Sequence, residues 1–181
     1  MEVSLIPPQT KQIFTKRLVA IVLLFIVILG GGLRFTALDS ESIWLDEAIS
    51  IQGSQQELSS VITTSGSLHN QPPLYFVFLH YWMKIFGTSE VAVRLLSAIF
   101  GTISLILIFI IGRTLFNNRV GLVAAFLSAI SLFHLHYSQE ARSYSLLLMA
   151  SLGSIILFFR LLKCEYPRKQ DYIWLLLINI C

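Results

Sequence analysis

Charge is what this sequence has least of: of its 181 residues only 13% are Asp, Glu, Lys or Arg, against 55% apolar, and the mean hydropathy is +0.75. So little polar surface cannot coat a soluble globule of this length, which excludes a water-soluble domain and leaves a membrane protein. Cysteine is nearly absent as well. Cys164 and Cys181 are too few for a disulfide framework, and neither stands in a metal-type spacing. The net charge of +3 comes without a basic stripe, because Lys and Arg gather at the ends of apolar runs; that is the mark of membrane topology rather than of nucleic-acid binding. A signal-peptide cleavage site is missing too. The first apolar run, Leu18 to Leu33, is too long for a signal core and leads through three glycines into Arg34, so it reads as a retained anchor.

What is present is a series of long apolar runs. A crossing helix needs about 20 predominantly apolar residues, and spans are expected at about 18–35, 91–111, 120–133 and 144–162, with a fifth from Tyr172 cut short at Cys181. The expectation is an all-α fold: a polytopic transmembrane helical bundle, with residues 1–181 forming a single N-terminal transmembrane portion of a longer protein whose remainder is absent. Lys11, Lys16 and Arg17, then Arg113 and Arg119, then Arg160, Lys163, Arg168 and Lys169 mark the cytoplasmic segments. The N-terminus is thereby cytoplasmic, and the segment 36–90 and the short one around 134–143 lie on the outer face. The run 120–133 is short for a span. Parity makes it one, since otherwise the basic cluster after residue 160 would be exported.

The long outer segment reads as ordered. Ser54-Gln55-Gln56-Glu57 has the pattern of a capping box, predicting a helix from near Gln55, and Gly53 would close a preceding helix that begins near Ile43. Pro72-Pro73 would open a helix over Leu74–Phe86 that Gly87 ends, with Ser89 capping the next span. Short juxtamembrane helices packed on the membrane face are expected, in place of a tether.

Two polar clusters stand out in this apolar chain. Asp46 and Glu47 sit in Ser42-Ile43-Trp44-Leu45-Asp46-Glu47-Ala48, and as neighbours on a helix they point about 100° apart, so one acid can meet a reacting atom while the other is structural. The plainer reading is that both complement the helix dipole and face water; against it, Trp44 and Leu45 partly desolvate the pair. The second cluster is His134 to Tyr144. There Arg142 can hold a phosphate bidentately near lipid headgroups, or Glu140 and Arg142 can be ordinary loop charges beside interfacial Tyr137 and Tyr144. His134 and His136, two apart, lack the same-face spacing of a helical metal site. His80, on an apolar helix, reads as packed.

Taken in order, Arg34-Phe35, Leu38-Asp39, Trp44-Leu45-Asp46-Glu47-Ala48, Pro72-Pro73-Leu74-Tyr75, Leu79-His80, Arg94-Leu95, Gly112-Arg113-Thr114-Leu115-Phe116 and Ser138-Gln139-Glu140-Ala141-Arg142-Ser143-Tyr144 resemble the GT-C membrane glycosyltransferases. The likeness is to glycosyltransferase family 39, with its protein O-mannosyltransferases, aminoarabinose transferases of lipid A and Rgt-type bacterial enzymes. The resemblance implies a GT-C bundle that moves a sugar from a polyprenyl-phosphate-linked donor to a hydroxyl of a lipid, glycan or protein on the outer face, with inversion. It assigns Asp46 as general base, Glu47 as its orienting or tuning neighbour, and Arg142, flanked by Glu140 and Tyr144, as the donor-phosphate ligand. Many members carry His directly before the Pro pair; here Gln71 holds that place and His69 lies two positions earlier. Both are kept as substrate-binding candidates, and a divalent cation is left unassigned. A prokaryotic plasma membrane is the expected location.

Two other classes compete with this reading. In a transporter or channel subunit the acids and Arg142 would line a path near the bilayer midplane; here they gather toward one face. An inactive truncated remnant is the third.

Overall fold

A computed structural model gives the structure of the protein and describes residues 8–62, 73–163, 170, 173 and 175. Among the described residues every regular element is helical. The chain runs through α1 (Pro8–Phe35), α2 (Leu45–Ser54), a short helical stretch at 58–62, α3 (Pro73–Phe86), α4 (Glu90–Leu115), α5 (Asn118–Ile130), α6 (Leu132–Ser138) and α7 (Tyr144–Lys163). Lys16–Phe35 of α1, all of α4 and Tyr144–Leu162 of α7 are long and apolar enough to cross a membrane. The result is an all-α helical membrane bundle. The expected fifth span, 172–181, lies outside the described residues.

The third apolar run is not one straight helix. α5 stops at Ile130, Ser131 takes an extended backbone, and α6 departs at 64°, so the pair is a fourth crossing only if the bent unit is counted as one. Chemistry at Ser131 makes the break: its hydroxyl accepts the His134 N–H and caps α6, the local bonding that lets Ser compete with a continuous helix.

α4 is the centre, packing against α1, α5 and α7. Its contact faces are small, with Ala98, Gly101 and Ser104 among its buried residues, which lets helix axes approach closely without a hydrophobic driving force between them. At the α4–α5 turn the approach is closest: a Cβ on Gly112 would lie 2.8 Å from the Gly121 Cα. Asn117 starts α5 there, its side chain accepting the N–H groups of Arg119 and Val120 at 3.0 Å each.

At the opposite end of the bundle, α2 and α3 fold into a cap. Tyr75, Phe76 and Leu79 of α3 are buried with Val93, Leu96 and Phe100 of α4, and the Trp82 indole N–H donates to the Ala92 carbonyl at 2.8 Å. Pro73 opens α3, Gly87 with φ +82° closes it, and the Ser89 hydroxyl caps α4 by accepting the Ala92 N–H, all as the sequence predicts. The Ser54 capping box does not form. α2 runs on through Gly53 and Ser54 to a cap at Gln55, and the next helical stretch begins at residue 58. Tertiary burial overrides the motif: Ser54 is fully buried, its carbonyl accepts His80 Nδ1–H at 2.8 Å, and its hydroxyl has no partner among the described residues.

Candidate functional site

The adjacent acids of α2 diverge as helical neighbours must. Glu47 is 1% exposed, whereas the Asp46 side chain is 59% exposed. The two carboxylates therefore have different work.

Glu47 is the hub of the cap. Arg94, from the second turn of α4, meets it with two parallel bonds, Nε to Oε1 at 2.9 Å and Nη2 to Oε2 at 2.7 Å. The remaining Arg94 donors reach the carbonyls of Leu38, Glu41 and Ser42 at 2.6, 2.7 and 3.2 Å, which fixes the path of the chain from α1 to α2. Glu47 accepts two more bonds, from Trp44 N–H at the start of its own helix (3.1 Å) and from Ala141 N–H in the 139–143 turn (2.8 Å). Burial pushes the Glu47 carboxyl up, yet the Arg94 bonds and the Ala141 and Trp44 N–H groups outweigh it and hold it below the usual carboxylate value.

Asp46 lies on the outer side of the same turn. Arg142 Nη1 donates to its Oδ2 at 2.7 Å, and the guanidinium lies over the Tyr144 ring, 4.7 Å from the centroid. Tyr144 in turn meets Tyr137 edge-on at 4.9 Å. Glu140 pairs with His136 Nε2 at 3.1 Å; burial raises its carboxyl above the usual range, against the lowering effect of His136 and Arg142. The structure thus brings Asp46, Glu47, Glu140, Arg142 and Tyr144 to one end of the bundle. His69 and Gln71 lie outside the described residues.

Two cavities are lined by neighbours of the Asp46–Arg142 pair, Glu47 in one and Tyr144 in the other. A polar cleft of about 70 Å³ is bordered by Glu41, Glu47, Arg94, His136 and Glu140. A larger, mostly apolar one of about 330 Å³ lies between α6 and α7, bordered by Phe133, His134, Tyr137, Tyr144 and Leu148. Among the described residues no three His, Cys, Asp or Glu side chains come together as a metal site.

Two arginines that the sequence offers as members of motifs, with no role attached, prove structural. Arg94 is one. Arg34, fully buried, donates to the carbonyls of Gly30, Ala129 and Ser128 at 2.7, 3.3 and 3.2 Å, to Ser138 Oγ at 3.3 Å and to His134 Nδ1. The available signal was a lone Arg near the end of an apolar helix, where a cation in hydrocarbon must find partners. Gln139 closes the same corner, its amide donating to the Leu33 and Thr36 carbonyls at the C-terminal end of α1.

A family model described as dolichyl-phosphate-mannose-protein mannosyltransferase matches residues 70–180. No curated protein matches the chain, and no solved structure does.

Proposed function

The chain belongs to the dolichyl-phosphate-mannose-protein mannosyltransferase family, and from that membership of a membrane glycosyltransferase family we propose how it acts: it transfers a sugar from a polyprenyl-phosphate-linked donor to an acceptor hydroxyl at the capped end of the bundle. That end is the outer face of the membrane in this reading, because the basic clusters of the sequence gather at the other end.

The acceptor hydroxyl gives its proton to the Asp46 carboxylate as its oxygen bonds to the anomeric carbon. The bond from that carbon to the phosphate oxygen breaks on the opposite face, so the configuration inverts, and the electron pair leaves with the lipid phosphate. Arg142 is the group that neutralises the charge growing there, a role suited to a permanent, fork-shaped donor. Tyr144 holds its guanidinium from one side. Glu47 positions Asp46 by anchoring the first turn of α2 to Arg94 and Ala141 and does not itself touch the substrate. Glu140 borders the polar cleft together with His136.

The observation that carries this reading is the contrast in exposure between adjacent acids, Glu47 spent in four hydrogen bonds that hold the fold and Asp46 open to solvent beside a cation. A general base contributes about 10²–10⁴-fold to rate. Transfer from a polyprenyl-phosphate sugar by an Asp46→Asn variant should fall by that factor with its melting temperature kept; undiminished transfer removes Asp46 as the base. The charges stand at one end of the bundle, which gives the transporter reading no support.

A further inference from the structure

Asp46 and Arg142 have separate tasks in the proposed reaction, yet they are bonded to each other. We propose that this ion pair is a latch opened by the donor: the incoming phosphate takes Arg142 away from Asp46 and so frees the carboxylate for the acceptor's proton. The inference rests on the reading of Asp46 as base and Arg142 as phosphate ligand given above.

The two functions compete while the pair is closed. One Nη1 N–H of Arg142 is committed to Asp46 Oδ2 at 2.7 Å, so Asp46 competes with a phosphate for the same cation, and a carboxylate oxygen holding a guanidinium N–H is a poorer proton acceptor. A sugar phosphodiester already carries one negative charge and gains a second as the glycosidic bond breaks. The planar fork of Arg suits phosphate at least as well as carboxylate, and the advantage grows along the reaction.

The pair is built so that the acid moves and the cation stays. The Asp46 side chain is 59% exposed and the Arg142 side chain 20%. Arg142 is held from three sides: its N–H donates to the Glu140 carbonyl at 2.8 Å, its carbonyl accepts from Ser97 Oγ at 3.3 Å, and its guanidinium lies over the Tyr144 ring. Its Nε has no acceptor among the described residues, so donor capacity is left for a ligand. Opening the latch does not undock the turn from α2, because Glu47 holds Ala141 N–H at 2.8 Å independently of it. The neighbouring acids thus divide the labour: one keeps the frame shut while the other swings. Binding would be ordered, donor before acceptor, and the base would stay paired while no donor is bound.

The test is a two-by-two comparison of affinity. A sugar-free polyprenyl phosphate is titrated onto the chain in lipid nanodiscs at one fixed, low ionic strength, for wild type, Asp46→Asn, Arg142→Gln and the double variant. Arg142→Gln should weaken binding, and Asp46→Asn should tighten it about twofold to fivefold, the scale of an exposed ion pair that no longer has to be broken. In the Arg142→Gln background Asp46→Asn should change nothing. Equal tightening in both backgrounds means only that an acid near an anion was removed, and overturns the latch. An unchanged affinity in Asp46→Asn, with Arg142→Gln weakened, overturns the latch and leaves Arg142 as the phosphate ligand. Unchanged binding by Arg142→Gln removes that ligand assignment and the latch together.

Discussion

Arg94 of α4 and Glu47 of α2 meet as a bidentate ion pair in which all five guanidinium N–H groups are satisfied, two by the carboxylate and three by the carbonyls of Leu38, Glu41 and Ser42. Both side chains are at most 5% exposed. A pair this buried is costly to break from one side, because the remaining charge is left without a partner, typically at about 3–5 kcal/mol. Arg94→Met should therefore lower the melting temperature of the detergent-solubilised protein sharply, and Glu47→Gln should do so less, since Gln keeps an acceptor for Arg94. The double variant should fall short of the summed losses. Additive losses would mean that the two side chains do not act as a unit.

The two acids whose carboxyls are shifted, Glu47 and Glu140, give opposite pH dependences. Glu47 is held below its ordinary value of 4.5, so the stability it contributes is fully present above about that pH and is lost as pH falls through its lower, folded value. Glu140 is held above 4.5. Its ionisation costs stability as pH rises past the unfolded value, until it is fully ionised in the fold. Glu140→Gln should accordingly melt higher than wild type at neutral pH, with the gain vanishing in acid, whereas Glu47→Gln should melt lower at neutral pH and lose part of the acid sensitivity. Melting curves between pH 3.5 and about 8 separate the two, and the same sign for both would contradict the assignment.

Gly101 is a packing requirement of the Arg34 corner. A Cβ there would lie 2.2 Å from Ser138 Oγ, 2.8 Å from Ser138 Cβ and 3.3 Å from Arg34 Nε. Gly101→Ala should destabilise by about 1–3 kcal/mol through overpacking. Ser138→Gly, which removes the two closest atoms, should recover part of the loss when combined with it; no recovery would place the strain elsewhere.

Topology can be read by chemistry. In a chain with Cys164 and Cys181 replaced, single cysteines at Ser67 and Asn117 should react with a membrane-impermeant thiol reagent from opposite sides. Labelling from one side sinks the assignment of the cap to the outer face.

Local signals in the sequence located the local events. Gly87, Ser89 and Pro73 punctuate α3 and α4 as their backbone chemistry requires, and the angle between successive helical residues foretold that Asp46 and Glu47 would part. What the pattern did not carry were partners remote in the chain. Glu47 and Arg94 lie 47 positions apart and Arg34 and Ser138 lie 104 apart, and no periodicity records such meetings. The same absence explains Ser54. Its motif is a valid helix start in isolation, and only the contact with His80 of α3 turns that position into the buried end of α2. Likewise Ser131, the second of two serines in an apolar run, was enough to bend what hydropathy alone drew straight.

That bend has a consequence for how α1 sits in the bilayer. Ending α5 at Ile130 leaves its last carbonyls without helical donors, and Arg34 supplies them at Ser128 and Ala129. Each defect answers the other: an arginine that hydrocarbon would not tolerate alone, and a helix end that it would not tolerate bare. The match sets the depth of α1 as a key sets a lock, since a slide of one turn, about 5.4 Å, would strand both. An apolar anchor has no preferred depth of its own, and here it gains one from a single side chain. Straightening α5 into α6 would free the anchor to drift, and the chain from Thr36 to Trp44 that leads into α2 would drift with it.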